Sequence, residues 1–150
     1  WDIKPHPSLR GRPCPFCKKS KYYQWNAEFT RDEMAKALRA KGYDFDAVRD
    51  IILKDIDESG RPRMIGIVGS TKEIEIKSNL FRLGLGAERL RSTKFKNISL
   101  TGQTIAFEGY GWGHGVGLCQ WGAEEMAARG NSYRQILEYY YPGADIVKIY

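Results

Sequence analysis

At 150 residues, with 42% hydrophobic and 28% charged side chains, the chain has the composition of one globular domain with a substantial core. No apolar run approaches the roughly 20 residues of a membrane span, no secretory leader is recognisable, and three cysteines are too few for a dense disulfide scaffold. The formal net charge of +6 is unevenly placed: Lys4, Arg10, Arg12, Lys18, Lys19 and Lys21 stand against Asp2 alone in residues 1–21, and the remainder is nearly balanced. Such a cluster suits a polyanion, whether nucleic acid, anionic cell-wall polymer or lipid headgroups, or it is a solvated basic loop. Because the chain begins at Trp1, a fragment or processed product is expected.

Residues 1–21 are predicted to form a basic, Pro-rich arm, since Pro5, Pro7, Pro13 and Pro15 exclude a regular helix or a central strand. Within it Cys14 and Cys17 form Cys-Pro-Phe-Cys, half of a tetrahedral zinc site, with His6 as the candidate third ligand. A disulfide and free thiols are the alternatives. From Tyr22 to Phe29, Tyr23, Trp25, Ala27 and Phe29 alternate with polar residues, the period of a half-buried strand. Thr30 and Glu33 make a capping box for a short helix whose apolar face is Met34, Ala37 and Leu38 and whose stop is Gly42.

The stretches 48–59, 63–70 and 72–77 are predicted to form an antiparallel meander, turning at Gly60-Arg61-Pro62 and at Gly69-Ser70, with Ile74 and Ile76 inward. Ser78 or Asn79 is expected to cap a short helix that Gly86 ends. A hairpin around Thr101-Gly102 then delivers the chain to a segment with glycine at every second position from Gly109 to Gly117. If that segment is extended, one flank is bare and the other carries Tyr110, Trp112, His114 and Val116. Beyond it the period turns helical, with Val116, Cys119, Ala123, Met126 and Ala127 on a stripe of small residues and Cys119 read as a small core residue. Gln120 falls at the stripe's margin, facing a cleft near His114 beside unpaired N–H groups of the helix start.

A second capping box, Ser132 and Gln135, predicts a helix through Tyr139, Tyr140 and Tyr141, stopped by Pro142-Gly143, and residues 145–150 read as a closing strand. The fold class is therefore α+β: an antiparallel sheet or meander with three or four short helices, its Gly-rich strand leading into a small-residue helix. No dinucleotide or P-loop glycine pattern and no nucleophile elbow is present. Carbohydrate or peptide chemistry in an aromatic-lined groove remains, with Trp112, Trp121 and the tyrosines as stacking surfaces. The acid near this segment is Glu108.

The stretch GYGWGHGVGLCQWGAEEMAARGNSYRQILEYYYPGADI resembles the C-terminal signature of the stage II sporulation protein D / amidase enhancer (SpoIID/LytB) family. YYQWNAEFTRDEMAKAL and FRLGLGAERLRST stand in the family's order, so the resemblance runs from Tyr22 over nearly the whole chain. Residues 22–150 are accordingly expected to be the C-terminal part of a SpoIID-like domain. At Cys119 many relatives have serine.

The resemblance implies lytic transglycosylase action on peptidoglycan outside the cytoplasm, in the cell wall, periplasm or forespore envelope. One carboxylic acid would protonate the glycosidic oxygen and then act as base, while a hydroxyl of the sugar closes an anhydro ring, so paired carboxylates are not needed. The family's acid lies in a helix, in a motif ending Glu-Met or similar; it is expected upstream of Trp1, and no catalytic residue is assigned here. Substrate-binding candidates are His114 and Gln120, which position the glycan, Trp112, and Tyr140 on the groove. Zinc would be structural and not required for the chemistry, and the implied partners are glycan strands and a cell-wall amidase. The alternative is a non-catalytic wall-binding or amidase-stimulating module. Nucleic-acid binding through the arm would leave the aromatic segment unexplained.

Overall fold

The computed structural model describes residues 7–9 and 11–147. The chain divides into two compact units, Gln24–His114 and a second made of the described residues up to Tyr23 together with those from Gly115 onward. The architecture is α+β, with two three-stranded antiparallel sheets and four α-helices.

In the larger unit the order is β1 (Gln24–Thr30), α1 (Arg31–Arg39), β2 (Asp50–Ile56), β3 (Pro62–Val68), β4 (Glu73–Lys77), α2 (Ser78–Leu85), β5 (Phe95–Thr101) and β6 (Thr104–Tyr110). The predicted meander is present as β2-β3-β4, with Ile65 opposite Ile76 and Ile67 opposite Ile74. The predicted hairpin is β5-β6, and its second strand pairs on the far side with β1, so the sheet runs β1-β6-β5. β1 keeps strict alternation, burying Trp25, Ala27 and Phe29. These join Met34, Ala35, Leu38, Ile65, Ile67, Ile76, Phe81 and Phe107 in one core.

Local signals and long-range charges hold the elements in place. At α1 both halves of the capping box form: Thr30 Oγ1 accepts from the Glu33 amide, and Glu33 accepts from the Thr30 amide. Arg31 is a bracket, its guanidinium donating to the carbonyls of Gly102 (2.7 Å), Val48 (2.6 Å) and Arg49 (2.7 Å). It thus ties the β5-β6 turn to the segment entering β2. The start of α2 differs from expectation. Lys77 is the N-cap, no side chain caps, and Ser78 is the first helical residue with its hydroxyl buried.

The smaller unit contains two 3₁₀ turns, Pro7–Leu9 and Phe16–Lys19, then α3 (Gln120–Ala128) and α4 (Tyr133–Tyr140). Met126, Ile136 and Tyr140 form its buried centre, with Cys14, Phe16, Leu118 and Cys119 packed against them. The Ser132–Gln135 capping box forms in both directions. The Pro-rich arm is fixed by side chains of α4: Tyr139 donates to the Pro13 carbonyl at 2.6 Å and meets the edge of Phe16 at 5.4 Å. The closing strand expected over 145–150 is not formed by residues 145–147, and the rest of it lies outside the described residues.

Phe107 is buried in contact with three rings, Phe29 at 5.9 Å, Phe81 at 6.3 Å and Phe95 at 5.6 Å. Phe107→Ala should cost about 3–5 kcal/mol, read as a lower urea midpoint of unfolding with little change in slope.

Candidate functional site

The glycine-alternating segment starts as a strand and then departs from one. β6 ends at Tyr110, and Gly111, Gly113, Gly115 and Gly117 follow with φ of 72, 109, 76 and 94°. A left-handed residue at every second position breaks the pleat, so the single row of side chains expected from an extended ribbon is not what this backbone forms. Gly109 is different. It lies within β6, where a Cβ would stand 2.3 Å from the Trp25 ring and 2.8 Å from the Lys94 carbonyl oxygen.

The exit from β6 is pinned by one buried hydroxyl. Ser92 Oγ accepts from Trp25 Nε1 (3.2 Å) and from the Lys94 amide (3.1 Å), and donates to the Tyr110 carbonyl (2.6 Å). The Gly113 amide then donates to the Arg91 carbonyl at 2.8 Å, and Ser92 and Gly113 make a short parallel bridge. This anchoring presents Trp112 and His114 at the surface, with the Arg91 guanidinium 5.7 Å from the Trp112 ring centre.

Two acids of this unit that bear on the expected chemistry are ion-paired. Glu108 pairs with Lys96 at 2.8 Å. Glu-Met pairs do stand within the chain, at Glu125–Met126, where Glu125 pairs with Arg129, and at Glu33–Met34. The Glu33 carboxylate is bonded to Arg89 and to the Thr30 amide, which holds it below the usual carboxylate range, opposite to the raised value a general acid needs. Met34 is fully buried. Elsewhere in this unit a cleft of about 540 Å³ is lined by Arg31, Asp32, Arg49, Ser70 and Gln103, among others, and by none of the predicted site residues.

The smaller unit carries a cluster of sulfur. Cys17 lies in the 3₁₀ turn Phe16–Lys19 and Cys14 two residues before it, Cys119 is the N-cap of α3, and the three Sγ atoms lie within 4.8 Å of one another, close enough to hold a metal ion. Cys119 packs against the unit's buried centre, as the helical stripe suggested, and in addition stands beside two other thiols. The signal available was a cysteine standing where the resembling family often has serine. His6 lies outside the described residues.

The surroundings of the cluster are built closely. Tyr140 Oη is 3.1 Å from Cys14 Sγ, and Cys17 Sγ donates to the Cys14 carbonyl at 3.3 Å. Helix α3 reaches the thiols through Gly122, where a Cβ would stand 2.0 Å from Tyr140 Oη and 2.4 Å from Cys14 Sγ. Burial pushes the Cys14 thiol up, but hydrogen bonds with Tyr140, Cys17 and Cys119 outweigh it and leave the group below its ordinary value. Burial, and then bonding to Cys14, pushes Cys17 up to about 12, and burial also raises Cys119 and Tyr140. Three thiolates this close repel one another, so they ionise together only around a cation. The donor set fits zinc: with Zn–S near 2.3 Å, tetrahedral sulfurs stand roughly 3.8 Å apart, a contraction of at most roughly 0.6 Å per atom from here.

Tyr140, expected on the groove, is instead buried and turned onto Cys14. Gln120 is exposed at the start of α3, and Trp121 beside it is 39% exposed with its ring 5.9 Å from Tyr22. Lys21 lies over the Tyr22 ring at 4.9 Å. His114 and Trp112 thus belong to the larger unit, and Gln120 and Tyr140 to the smaller.

A family model described as "Domain of unknown function (DUF8618)" matches residues 16–117. An uncharacterized protein of Brachyspira hyodysenteriae (strain ATCC 49526 / WA1) is 44% identical over 73 residues, which is 49% of this chain and 20% of that protein. Stage II sporulation protein D of Bacillus amyloliquefaciens is 32% identical over 140 residues, 93% of this chain and 38% of the relative. The amidase enhancer of Bacillus subtilis (strain 168) is 34% identical over 73 residues, 49% of this chain and 10% of the relative. The chain therefore spans less than two fifths of the length of each of these proteins. The likeness to stage II sporulation protein D and the amidase enhancer read from the glycine-alternating signature holds.

Two substitutions test this geometry. Ser92→Ala orphans the Trp25 and Lys94 donors and the Tyr110 carbonyl, and should cost about 1–3 kcal/mol by urea unfolding. Gly122→Ala should push Cys14 and Tyr140 away from α3, seen as several-fold faster reaction of the thiols with a disulfide reagent; an unchanged rate would contradict the close approach.

Proposed function

The chain belongs to the family described as a domain of unknown function (DUF8618), and from that premise and its likeness to stage II sporulation protein D and the amidase enhancer we propose a cell-wall role, of the kind those names carry, in sporulation or wall remodelling. The finer reading is that it supplies the glycan-binding part of a lytic transglycosylase acting on peptidoglycan strands outside the cytoplasm. The observation that carries it is the exposed Trp112 and His114 held on a glycine-rich backbone by the buried Ser92 hydroxyl. An indole offers a flat apolar face to the C–H side of a sugar ring, and an imidazole donates to or accepts from its hydroxyls. Trp121 and Gln120, exposed at the start of α3, offer the same pair of chemistries in the smaller unit.

In this reading the residues of the chain bind and orient glycan. The general acid is expected upstream of Trp1 and is assigned to no residue here; Glu33 and Glu108 are ion-paired. The basic arm, with Lys18, Lys19 and Lys21, suits anionic wall polymer. Cys14 and Cys17 hold a structural zinc ion, which when bound cross-links the arm and takes no part in bond cleavage. A non-catalytic wall-binding module that stimulates an amidase uses the same surfaces. The likeness to the amidase enhancer favours it.

Co-sedimentation with purified peptidoglycan tests the binding. His114→Ala should weaken it about tenfold, the worth of one or two hydrogen bonds, and unchanged binding and cleavage in a full-length protein would end the glycan role of His114. Mass spectrometry of the supernatant separates the two readings: new anhydro sugar ends indicate the enzyme, and binding without them indicates the module.

A further inference from the structure

The sulfur cluster joins two parts of the sequence that the glycan reading treats separately. Cys14 and Cys17 belong to the basic arm, whereas Cys119 closes the glycine-alternating segment and immediately precedes Gln120 and Trp121. The three sulfurs converge to within 4.8 Å although nothing covalent draws them together, and all three are only part-buried. Their outer partners are already placed. The Gly122 amide hydrogen-bonds the Cys119 sulfur, and the Tyr140 hydroxyl sits 3.1 Å from Cys14. Because Cys14 is an acceptor once ionised, that hydroxyl becomes the donor. Gly122 leaves no room for a side chain between α3 and the Cys-x-x-Cys turn, so the helix start and the turn are in direct contact.

We propose that Cys14, Cys17 and Cys119 are three thiolate ligands of a single divalent cation of zinc's chemistry, that Tyr140 and Gly122 are its outer hydrogen-bond donors, and that the ion fixes the start of α3 and with it the placement of Gln120 and Trp121. Binding the ion releases the thiol protons to solvent and changes no oxidation state. Donation from Tyr140 and Gly122 spreads the negative charge that three sulfurs place on one ion, as partners of metal ligands commonly do. This inference rests on the zinc reading of Cys14 and Cys17 and is independent of the glycan reading. It adds the third ligand and what the ion holds in place.

Cobalt(II) serves as the probe, because thiolate ligation gives it a sulfur-to-metal charge-transfer band. The reduced 150-residue chain should bind one equivalent. Cys119→Ser should remove about one third of the band intensity, as expected when one of three thiolates is lost. Tyr140→Phe should keep the intensity and weaken binding about 10- to 100-fold. Hydrogen exchange should show metal-dependent protection of the amides of Gln120 to Gly122. A Cys119→Ser band equal to that of the parent chain overturns the role of Cys119 and leaves the two-thiol reading standing. No band in the parent chain, or a disulfide between any two of the three under reducing conditions, overturns both. Should Cys119→Ser fail to fold by circular dichroism, X-ray absorption of the zinc-loaded parent counts the sulfurs directly: three supports the site, and two or fewer refutes it.

Discussion

Two positions at which a side chain has no room, one in each unit, bring backbone into direct contact with side chains. Gly109 lets β6 lie against the Trp25 ring and the Lys94 carbonyl, and Gly122 lets α3 lie against Cys14 and Tyr140. Each contact is too close for a methyl group, and overpacking such a site costs about 1–3 kcal/mol or moves the neighbour. Between these two points run Gly111, Gly113, Gly115 and Gly117, all left-handed. Each unit thus holds its own end of the glycine segment: Trp112 and His114 are exposed in the larger unit, and Gln120 and Trp121 in the smaller.

Polar groups in the larger unit mostly serve this scaffold. Arg31 spends its guanidinium on three backbone carbonyls, Arg89 bonds Glu33 while lying over Phe29, and Arg82 is buried with its Nε donating to the Arg91 carbonyl. A charged donor on a carbonyl forms a stronger bond than a neutral one, and an arginine already in place loses little further entropy. Carboxylates engaged in this way are held ionised, which makes them poor proton donors near neutral pH. The exposed surface of the glycine segment carries the indole of Trp112 and the imidazole of His114.

The smaller unit reaches order by a different route. Its buried hydrophobic centre is Met126, Ile136 and Tyr140, and the arm that completes it is rich in proline, which forms no ladder of backbone bonds. Side-chain contacts replace that ladder: Tyr139 onto Pro13 and Phe16, Arg129 over Phe16, and Tyr141 Oη accepting from the Leu118 amide at 3.0 Å. A core this small gains most from a cross-link, and three convergent thiols are positioned to provide one.

Much of this was legible in the residues themselves. The capping boxes at Thr30 and Ser132, the alternation of β1, the meander over 50–77 and the hairpin at Thr101-Gly102 all depend on neighbours within a few positions, and local propensity and periodicity report such neighbours directly. The glycine signature belongs to the same class. Tertiary structure alone decided the pairing of β1 with β6, the left-handed course beyond Tyr110, the burial of Tyr140 against Cys14, and the arrival of Cys119 beside Cys14 and Cys17. Each of these depends on residues far apart in the chain meeting at a distance of a few ångströms, and spacing within a sequence carries no record of which distant segment will fill the space beside it.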